Sequence, residues 1–144
     1  MSIEDKYENA LGVLCGEKLG FGMDRDVYVC RLDEDYVVKV ERDNSSYDQN
    51  IIEYRIWTDL QGKPDLQKYF APCKYLSGNG KILIQKRTEP IRMSDIPDKL
   101  PMFLNDMKLE NYGILDGKFV CHDYGYIDLT VGWTKRLKKT DFED

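Results

Sequence analysis

The sequence has no long apolar run, few cysteines and a single histidine, and each shortage excludes a class of protein. The first residues, MSIEDKYENALGVLCG, carry acids early and contain neither a secretory signal nor a membrane-spanning stretch, so we expect a cytoplasmic protein. The cysteines at 15, 30, 73 and 121 form no CxxC pair, and His122 cannot complete a zinc site with them by ordinary ligand spacing. We therefore expect reduced, structural thiols and a packed or hydrogen-bonded histidine.

An excess of positive charge is also missing. The 144 residues carry 21 Lys and Arg against 26 Asp and Glu, which gives a formal net charge of -5. This balance argues against a protein that binds the phosphate backbone of a nucleic acid, because such binding depends on clustered cations. The one basic run, 135–139, is followed by acids at 141, 143 and 144, so we interpret it as a solvated tail.

What is present is the composition of one globular domain, with 42% hydrophobic and 33% charged residues and no low-complexity stretch. Apolar residues at helical spacing predict an amphipathic helix over 3–14 that Gly16 ends, and Ser46 with Gln49 forms a capping-box pattern for a second helix through Leu60. Strands are expected at 19–31, 35–41, 73–76, 81–85, 112–115 and 118–121. The remaining pieces are a connector with one short helical turn at 86–102 and an irregular polar tail at 129–144.

Glycines and a valine in the segment LGFGMDRDVY have the spacing of a loop that covers a nucleotide. Gly20 and Gly22 would let backbone N–H groups approach phosphates, which a Cβ would obstruct. A plain hairpin with turn glycines explains this segment equally well. The loop alone therefore decides nothing.

Lys39 interrupts the apolar strand VVKV and shares a strand face with Val37. A lysine in this place either extends to solvent at a sheet edge or has a buried counter-charge. Glu53 offers that charge, because helical spacing puts it on the same face as Ile56 and Leu60. The sequence therefore predicts a Lys39–Glu53 ion pair.

A third group of polar residues surrounds the expected hairpin at 112–121. The segment DMKLEN, residues 106–111, precedes the hairpin, and Asp123-Tyr124-Gly125 follows it. Oxygen ligands such as Asn111 and Asp123 suit Mg²⁺, which binds a few carboxylates together with phosphate oxygens. The alternative is that both segments are simple turns.

In chain order these parts resemble the signature set of the protein-kinase family: glycine loop, strand lysine, helix glutamate, D-x-K-x-x-N and a D-F-G-like tripeptide. The resemblance covers about residues 17–128. It implies an α+β fold with a kinase-like N-lobe, a five-stranded antiparallel sheet with one packed helix. A catalytic-loop and DFG-like hairpin remnant would follow, with the C-terminal helical lobe largely absent. The strings VVKVE, RTEP and HDYG also look like small kinase-like proteins of bacteriophages.

The resemblance further implies that the chain binds ATP or another nucleotide with Mg²⁺. It also implies a single domain, 1–144, made of the helix 1–16, the N-lobe-like part 17–88, the catalytic-loop and metal-loop remnant 89–128 and the polar tail 129–144. By resemblance, Gly20 and Gly22 would cover the phosphates, and Val27 and Val37 would line the adenine pocket beside a hinge at residues 85–88. Lys39 with Glu53 would hold the α- and β-phosphates, and Asn111 with Asp123 would bind the metal ion. Asp106 would be the catalytic base, and Lys108 would lie near the γ-phosphate.

Several positions depart from the family pattern. Arg25 stands where the third glycine is usual, Leu104-Asn105 replaces the His-Arg before Asp106, and Tyr124 replaces the phenylalanine. About twenty residues separate the hinge from Asp106, too few for the two helices usual there, and no Ala-Pro-Glu motif follows Asp123.

Two functions remain open beside a purely structural domain. The first is a noncatalytic regulator or inhibitor of another protein, a pseudokinase that acts on a host protein if the source is a phage. The alternative is an active phosphotransferase that acts on itself, a small molecule or a protein Ser/Thr. The apolar run 100–104 has a family counterpart that packs against helices that this chain lacks. We expect the surface there to be covered by the amino-terminal helix, by a second copy of the chain or by a protein partner.

Overall fold

The computed structural model describes residues 2–21, 24–43, 45, 48–127, 130 and 132–142. The chain forms two compact units. The sheet unit comprises Met1–Tyr54 and Cys73–Arg87, and the hairpin unit comprises Arg55–Pro72 and Thr88–Asp144. Among the described residues, no helix is long and apolar enough to cross a membrane.

The sheet unit contains two helices and five strands. They are α1 Ile3–Leu14, β1 Cys15–Phe21, β2 Arg25–Cys30, β3 Tyr36–Glu41, α2 Gln49–Asp59, β4 Cys73–Leu76 and β5 Ile82–Lys86. Helix α2 continues past Tyr54 into the hairpin unit. The strands form one sheet in the order β1-β2-β3-β5-β4, and every neighbouring pair is antiparallel. The α+β class, the five-stranded antiparallel sheet and the packed helix that the sequence predicts are therefore confirmed.

The first helix has the predicted bounds, but its surroundings differ from the prediction. Ser2 caps it, since the Ser2 hydroxyl accepts from Asp5 N at 3.1 Å and the Asp5 carboxylate accepts from Ser2 N at 3.2 Å. Gly16 is not a helix stop but the second residue of β1. Leu14 in the last turn of α1 contacts the core, whereas Ile3 at the first position of the helix is 75% exposed.

The two faces of the sheet differ in chemistry. Val38 and Val40 of β3 form an apolar core with Cys30, against which Leu14 and Ile82 pack. Strand alternation sends Val37, Lys39 and Glu41 to the other face, where polar groups are buried. The polar face is the one that concerns function.

The hairpin unit contains the predicted hairpin, with β7 Tyr112–Leu115 paired antiparallel to β8 Lys118–Cys121. Asp116 and Gly117 at its turn have φ values of 51° and 77°, as a type I′ turn requires. After Thr88 the described residues form strands and short 3₁₀ turns but no α-helix, which agrees with the shortened connector. The other elements are α3 Pro64–Gln67, β6 Lys99–Pro101, β9 Leu137–Lys139 and 3₁₀ turns at Met93–Asp95 and Leu109–Asn111.

The prediction of an irregular tail at 129–144 is wrong for its middle. Strand β9 pairs antiparallel with β6, and bonds from Met102 N to Arg136 O and from Thr140 N to Asp98 O extend the ladder. Three-residue strands have too few side chains to show a period of two. The basic character of residues 135–139 could therefore be predicted from the sequence, but the pairing of this segment with β6 could not.

The apolar run before Asp106 is buried within the chain rather than exposed. Leu100, Phe103 and Leu104 are each 1% exposed or less. The Phe103 ring lies 5.2 Å from Trp133, 5.9 Å from Phe70 and 5.9 Å from Tyr69, measured between ring centroids. Rings of the chain itself therefore cover the run 100–104. No second copy or partner is needed to shield it, and the protein partner stays a prediction.

Candidate functional site

The candidate site in the sheet unit begins at the first turn of α2. The helix starts at Gln49, and the predicted cap residue Ser46 lies outside the described residues. The side-chain amide of Gln49 donates to Asp24 Oδ2 at 2.8 Å. The helix is therefore attached to the loop before β2 by a buried side-chain contact.

Glu53 lies on the next turn and is fully buried. Lys39 Nζ donates to Glu53 Oε1 at 2.8 Å, so the predicted ion pair is present. Arg25 Nη2 donates to the other oxygen, Glu53 Oε2, at 2.6 Å. Each carboxylate oxygen of Glu53 therefore receives its own cation.

Sequence reasoning missed the role of Arg25, which it treated only as a missing glycine. Arg25 is 5% exposed and also donates from Nη1 to Asn50 Oδ1 at 3.1 Å. The strand register reveals this role, because Arg25 and Val27 share one face of β2 and Val27 lies directly opposite Lys39. An arginine at that position points toward the same counter-charge as Lys39.

Asn50 is a second residue that the sequence did not single out. Its side-chain amide donates to Lys39 O at 3.0 Å and to Gly80 O at 3.1 Å, and its backbone N–H donates to Glu41 Oε1 at 2.7 Å. With the bond from Arg25, all these polar groups of Asn50 are paired in the interior. The contacts fix α2 against three parts of the sheet unit.

The acidity of Glu53 reflects this environment. Burial acts to raise its pKa, but the charges and hydrogen bonds of Arg25 and Lys39 together outweigh burial and lower the pKa from 4.5 to about 2. The folded state therefore stabilises the ionised carboxylate of Glu53.

A pH prediction follows from this shift. Since the folded pKa is below the unfolded value, the Glu53 contribution is complete above about pH 4.5 and is lost as pH falls toward 2. We expect this loss to be about 3 kcal/mol, measured by urea unfolding between pH 6 and 2.5. Glu53→Gln should flatten the profile more than Asp26→Asn does. A Glu53→Gln profile as steep as that of the wild type would contradict the assignment.

The strand register places the other predicted cofactor residues on the same face of the sheet. Gly20 lies opposite Val27, Val27 lies opposite Lys39, and Val37 lies opposite Gln85. Directly opposite residues of an antiparallel pair project to the same side. Gly22 lies outside the described residues. The shared face agrees with a common site, and the assigned roles stay predictions.

Gln85, at the start of the predicted hinge 85–88, is fully buried on this face. Its amide nitrogen is 3.4 Å from Glu53 Oε1 and 3.8 Å from Cys73 Sγ. Its oxygen Oε1 has no hydrogen-bond partner among the described residues. A buried carbonyl in this state is costly unless a further donor reaches it, so this oxygen is a candidate acceptor for a bound group.

The hairpin unit brings the remaining predicted residues together. Asn111 is buried, and its amide donates from Nδ2 to Asp106 O at 3.3 Å, while Asn111 O accepts from Asp123 N at 3.2 Å. Lys108 is exposed, and its carbonyl accepts from Asn111 N at 3.0 Å to close the 3₁₀ turn. Asp106, Lys108, Asn111 and Asp123 therefore form one local group.

Two contacts hold this group against Thr88. His122 is hydrogen-bonded to Thr88 Oγ1 at 2.6 Å through Nδ1, and it donates from Nε2 to Glu110 O at 2.7 Å. Gly113 allows the close approach of Thr88, because a Cβ there would lie 2.4 Å from Thr88 Oγ1. The hydrogen-bonded histidine that the sequence predicts is present.

A metal ion at this group would need ligands beyond the side chains of the described residues. In the part of the chain that the structure describes, no three His, Cys, Asp or Glu side chains cluster to hold a metal ion. Asn111 Oδ1, however, accepts no hydrogen bond from a described residue, while its Nδ2 is engaged with Asp106 O. An amide oxygen and a carboxylate fit Mg²⁺ only if other oxygens, such as those of phosphate, complete the coordination.

Comparison with solved structures gives distant structural likenesses. No family model matches the sequence, and no curated protein matches it. Two solved structures are a streptomycin–ATP–APH(2″)-IIa ternary complex and a gentamicin–APH(2″)-IIa complex. Each is 23% identical over 65% of this chain, with a TM-score of 0.45. The chain spans 30% of the length of either of those proteins.

Proposed function

We propose that this protein binds ATP or another nucleotide together with Mg²⁺. The observation that carries the proposal is the buried Lys39–Glu53 pair at 2.8 Å on the polar face of the sheet. Lys39 would bind the α- and β-phosphates, and Asn111 with Asp123 would bind the metal ion. Gly20, Val27 and Val37, on the same face as Lys39, would contact the phosphates and the base.

Arg25 supports this proposal, because it allows the Lys39–Glu53 pair to accept a phosphate as a second anion. The Lys39 ammonium donates to Glu53 Oε1, and Arg25 donates separately to Glu53 Oε2. Since Arg25 neutralises Glu53 through Oε2, Lys39 can turn toward a phosphate without leaving a buried carboxylate unpaired. Glu53 then keeps its ion pair with Arg25 when a nucleotide binds to Lys39.

The role of the bound nucleotide has two candidates. A noncatalytic regulator or inhibitor of another protein is the first, supported by the absence of the usual His-Arg before Asp106. A phosphotransferase is the second, supported by the bond from Asn111 to Asp106 O, which fixes the backbone of the residue at the base position. In that role the Asp106 carboxylate would accept the proton of an attacking hydroxyl, and Lys108 would balance charge at the γ-phosphate.

We expect MgATP to raise the melting temperature, because a ligand at a hundredfold over its Kd adds about 2.7 kcal/mol to the stability of the native state. Lys39→Ala and Asp123→Asn should abolish the shift, and removing Mg²⁺ with EDTA should reduce it. Lys74→Ala, an exposed lysine on β4, and Asp116→Asn, at the turn of the β7–β8 hairpin, are matched controls that should keep it. An absent shift in the wild type at millimolar MgATP would disprove nucleotide binding.

Labelled ATP separates the two roles in one sample. Retention of intact ATP without hydrolysis or self-labelling supports the regulator. Label transfer that Asp106→Asn removes while binding persists supports the phosphotransferase. Transfer that survives Asp106→Asn would show that Asp106 is not the base.

A further inference from the structure

Two cysteines face each other where the first helix ends and the sheet begins. Cys15 is the first residue of β1, Cys30 is the last residue of β2, and the antiparallel register pairs them directly. Arg31 N donates to Leu14 O at 2.8 Å, a bond between the residues that flank the pair. This pattern marks a non-hydrogen-bonded pair, in which Cα atoms are about 4.5 Å apart and the side chains are closest.

That geometry is compatible with a covalent link. Disulfides join residues whose Cα atoms are about 4.4 to 6.8 Å apart and whose Cβ atoms point to one side, and directly opposite residues satisfy both conditions. Cys30 belongs to the apolar core with Val38 and Val40, and Cys15 packs against that core. Both thiols therefore lie on the apolar face, away from Lys39.

The electrostatics are consistent with neighbouring sulfur atoms. Burial and the adjacent Cys30 raise the pKa of the Cys15 thiol, while Arg31 acts in the opposite direction. Tyr28 and Tyr36 are the titratable side chains that pack on the same cluster. A raised pKa slows attack by Cys15 at neutral pH, so the reaction is best measured in mild alkali.

We propose that Cys15 and Cys30 are a disulfide site that forms when the protein meets the disulfide of a small thiol, such as glutathione disulfide. The Cys15 thiolate, the more exposed of the two, attacks one glutathione sulfur, the glutathione S–S bond breaks, and one glutathione leaves. The Cys30 thiolate then attacks Cys15 Sγ and displaces the second glutathione. Two electrons pass from the cysteines to glutathione disulfide, and the two thiol protons end on the released glutathiones or in solvent.

The link would close the chain from 15 to 30, which includes the whole glycine segment with Gly20 and Gly22. It would tie the base of that hairpin and the end of α1 while leaving the turn itself unlinked. Since a disulfide restricts the unfolded chain, the oxidised protein should be the more stable form. This inference does not depend on nucleotide binding.

The test uses the full-length protein with glutathione disulfide at pH 8.5, followed by alkylation of free thiols and trypsin digestion without reduction. We expect the mass of the intact oxidised protein to be about 2 Da below that of the reduced protein, because two thiol hydrogens are given up in the exchange. Peptides 7–18 and 26–31 should be linked. The melting temperature should rise by roughly 5 to 10 °C and return with dithiothreitol. Cys15→Ser should lose both effects, whereas Cys73→Ser and Cys121→Ser should keep them.

The peptide map of the wild type decides the matter even if a variant fails to fold. A link from Cys15 to Cys73 or Cys121, a link between two copies of the chain, or a glutathione adduct on Cys15 that does not resolve would each overturn the proposal. Complete resistance to glutathione disulfide at this pH would overturn it as well.

Discussion

Glu53→Gln should lower the free energy of unfolding by about 3 to 5 kcal/mol in the absence of nucleotide, because the change leaves two buried cations without their shared carboxylate. Arg25 and Lys39 are each about 5% exposed, so water does little to solvate either cation once the carboxylate is gone. Urea unfolding at pH 7, followed by circular dichroism, measures the loss.

The two cations should not be equivalent in this experiment. Lys39→Met should cost less than Glu53→Gln, because Arg25 still neutralises Glu53 at 2.6 Å. The matched control is the Asp26–Arg42 pair, equally short at 2.8 Å but partly exposed, for which Asp26→Asn should cost less than about 1 kcal/mol.

A double-mutant cycle tests whether the residues act together. If Lys39→Met and Glu53→Gln are coupled, the combined loss is smaller than the sum of the single losses. Strict additivity, or a Lys39→Met loss as large as that of Glu53→Gln, would contradict the shared-carboxylate arrangement.

Phe103→Ala should destabilise the protein by a similar amount, about 3 to 5 kcal/mol, because it removes a fully buried ring from the aromatic cluster of the hairpin unit. Its partners include Trp133, 5.2 Å away between ring centroids, so tryptophan fluorescence reports the loss directly. Met93→Ala, at a position 78% exposed, is the control and should change stability by less than about 0.5 kcal/mol.

This experiment also bears on the expected partner. If Phe103 belongs to an interface instead, Phe103→Ala leaves the melting temperature unchanged and reduces binding to another protein. An unchanged melting temperature would therefore restore the run 100–104 as a docking surface, in disagreement with its burial.

Those parts of the fold that carry strong local signals could be predicted from the sequence. The β7–β8 hairpin follows from Asp116-Gly117, a pair that tolerates positive φ, between two apolar runs. Helix α1 follows from its apolar spacing. Strand β9 could not be found in this way, because it is specified by pairing with β6, far away in the chain, rather than by its own three side chains.

The candidate site shows the same division. Lys39 and Glu53 are conspicuous because each is a charge among apolar neighbours. Arg25 and Asn50 stand in polar stretches near turns, where such residues are ordinarily solvated, and only the strand register reveals that they are buried. The kinase resemblance also obscured Arg25, since it directed attention to the glycine that is missing.

The bonds of Asn50 have a consequence for motion. Helix ends usually fray, because their first N–H groups lack partners within the helix. Here the first turn of α2 is bonded to Lys39 O and Gly80 O, and a Glu41 oxygen accepts the N–H of Asn50. Opening this turn would break contacts to β3, to Arg25 on β2 and to the β4–β5 turn at once. Its amide protons should therefore exchange with solvent at rates close to those of the central strands.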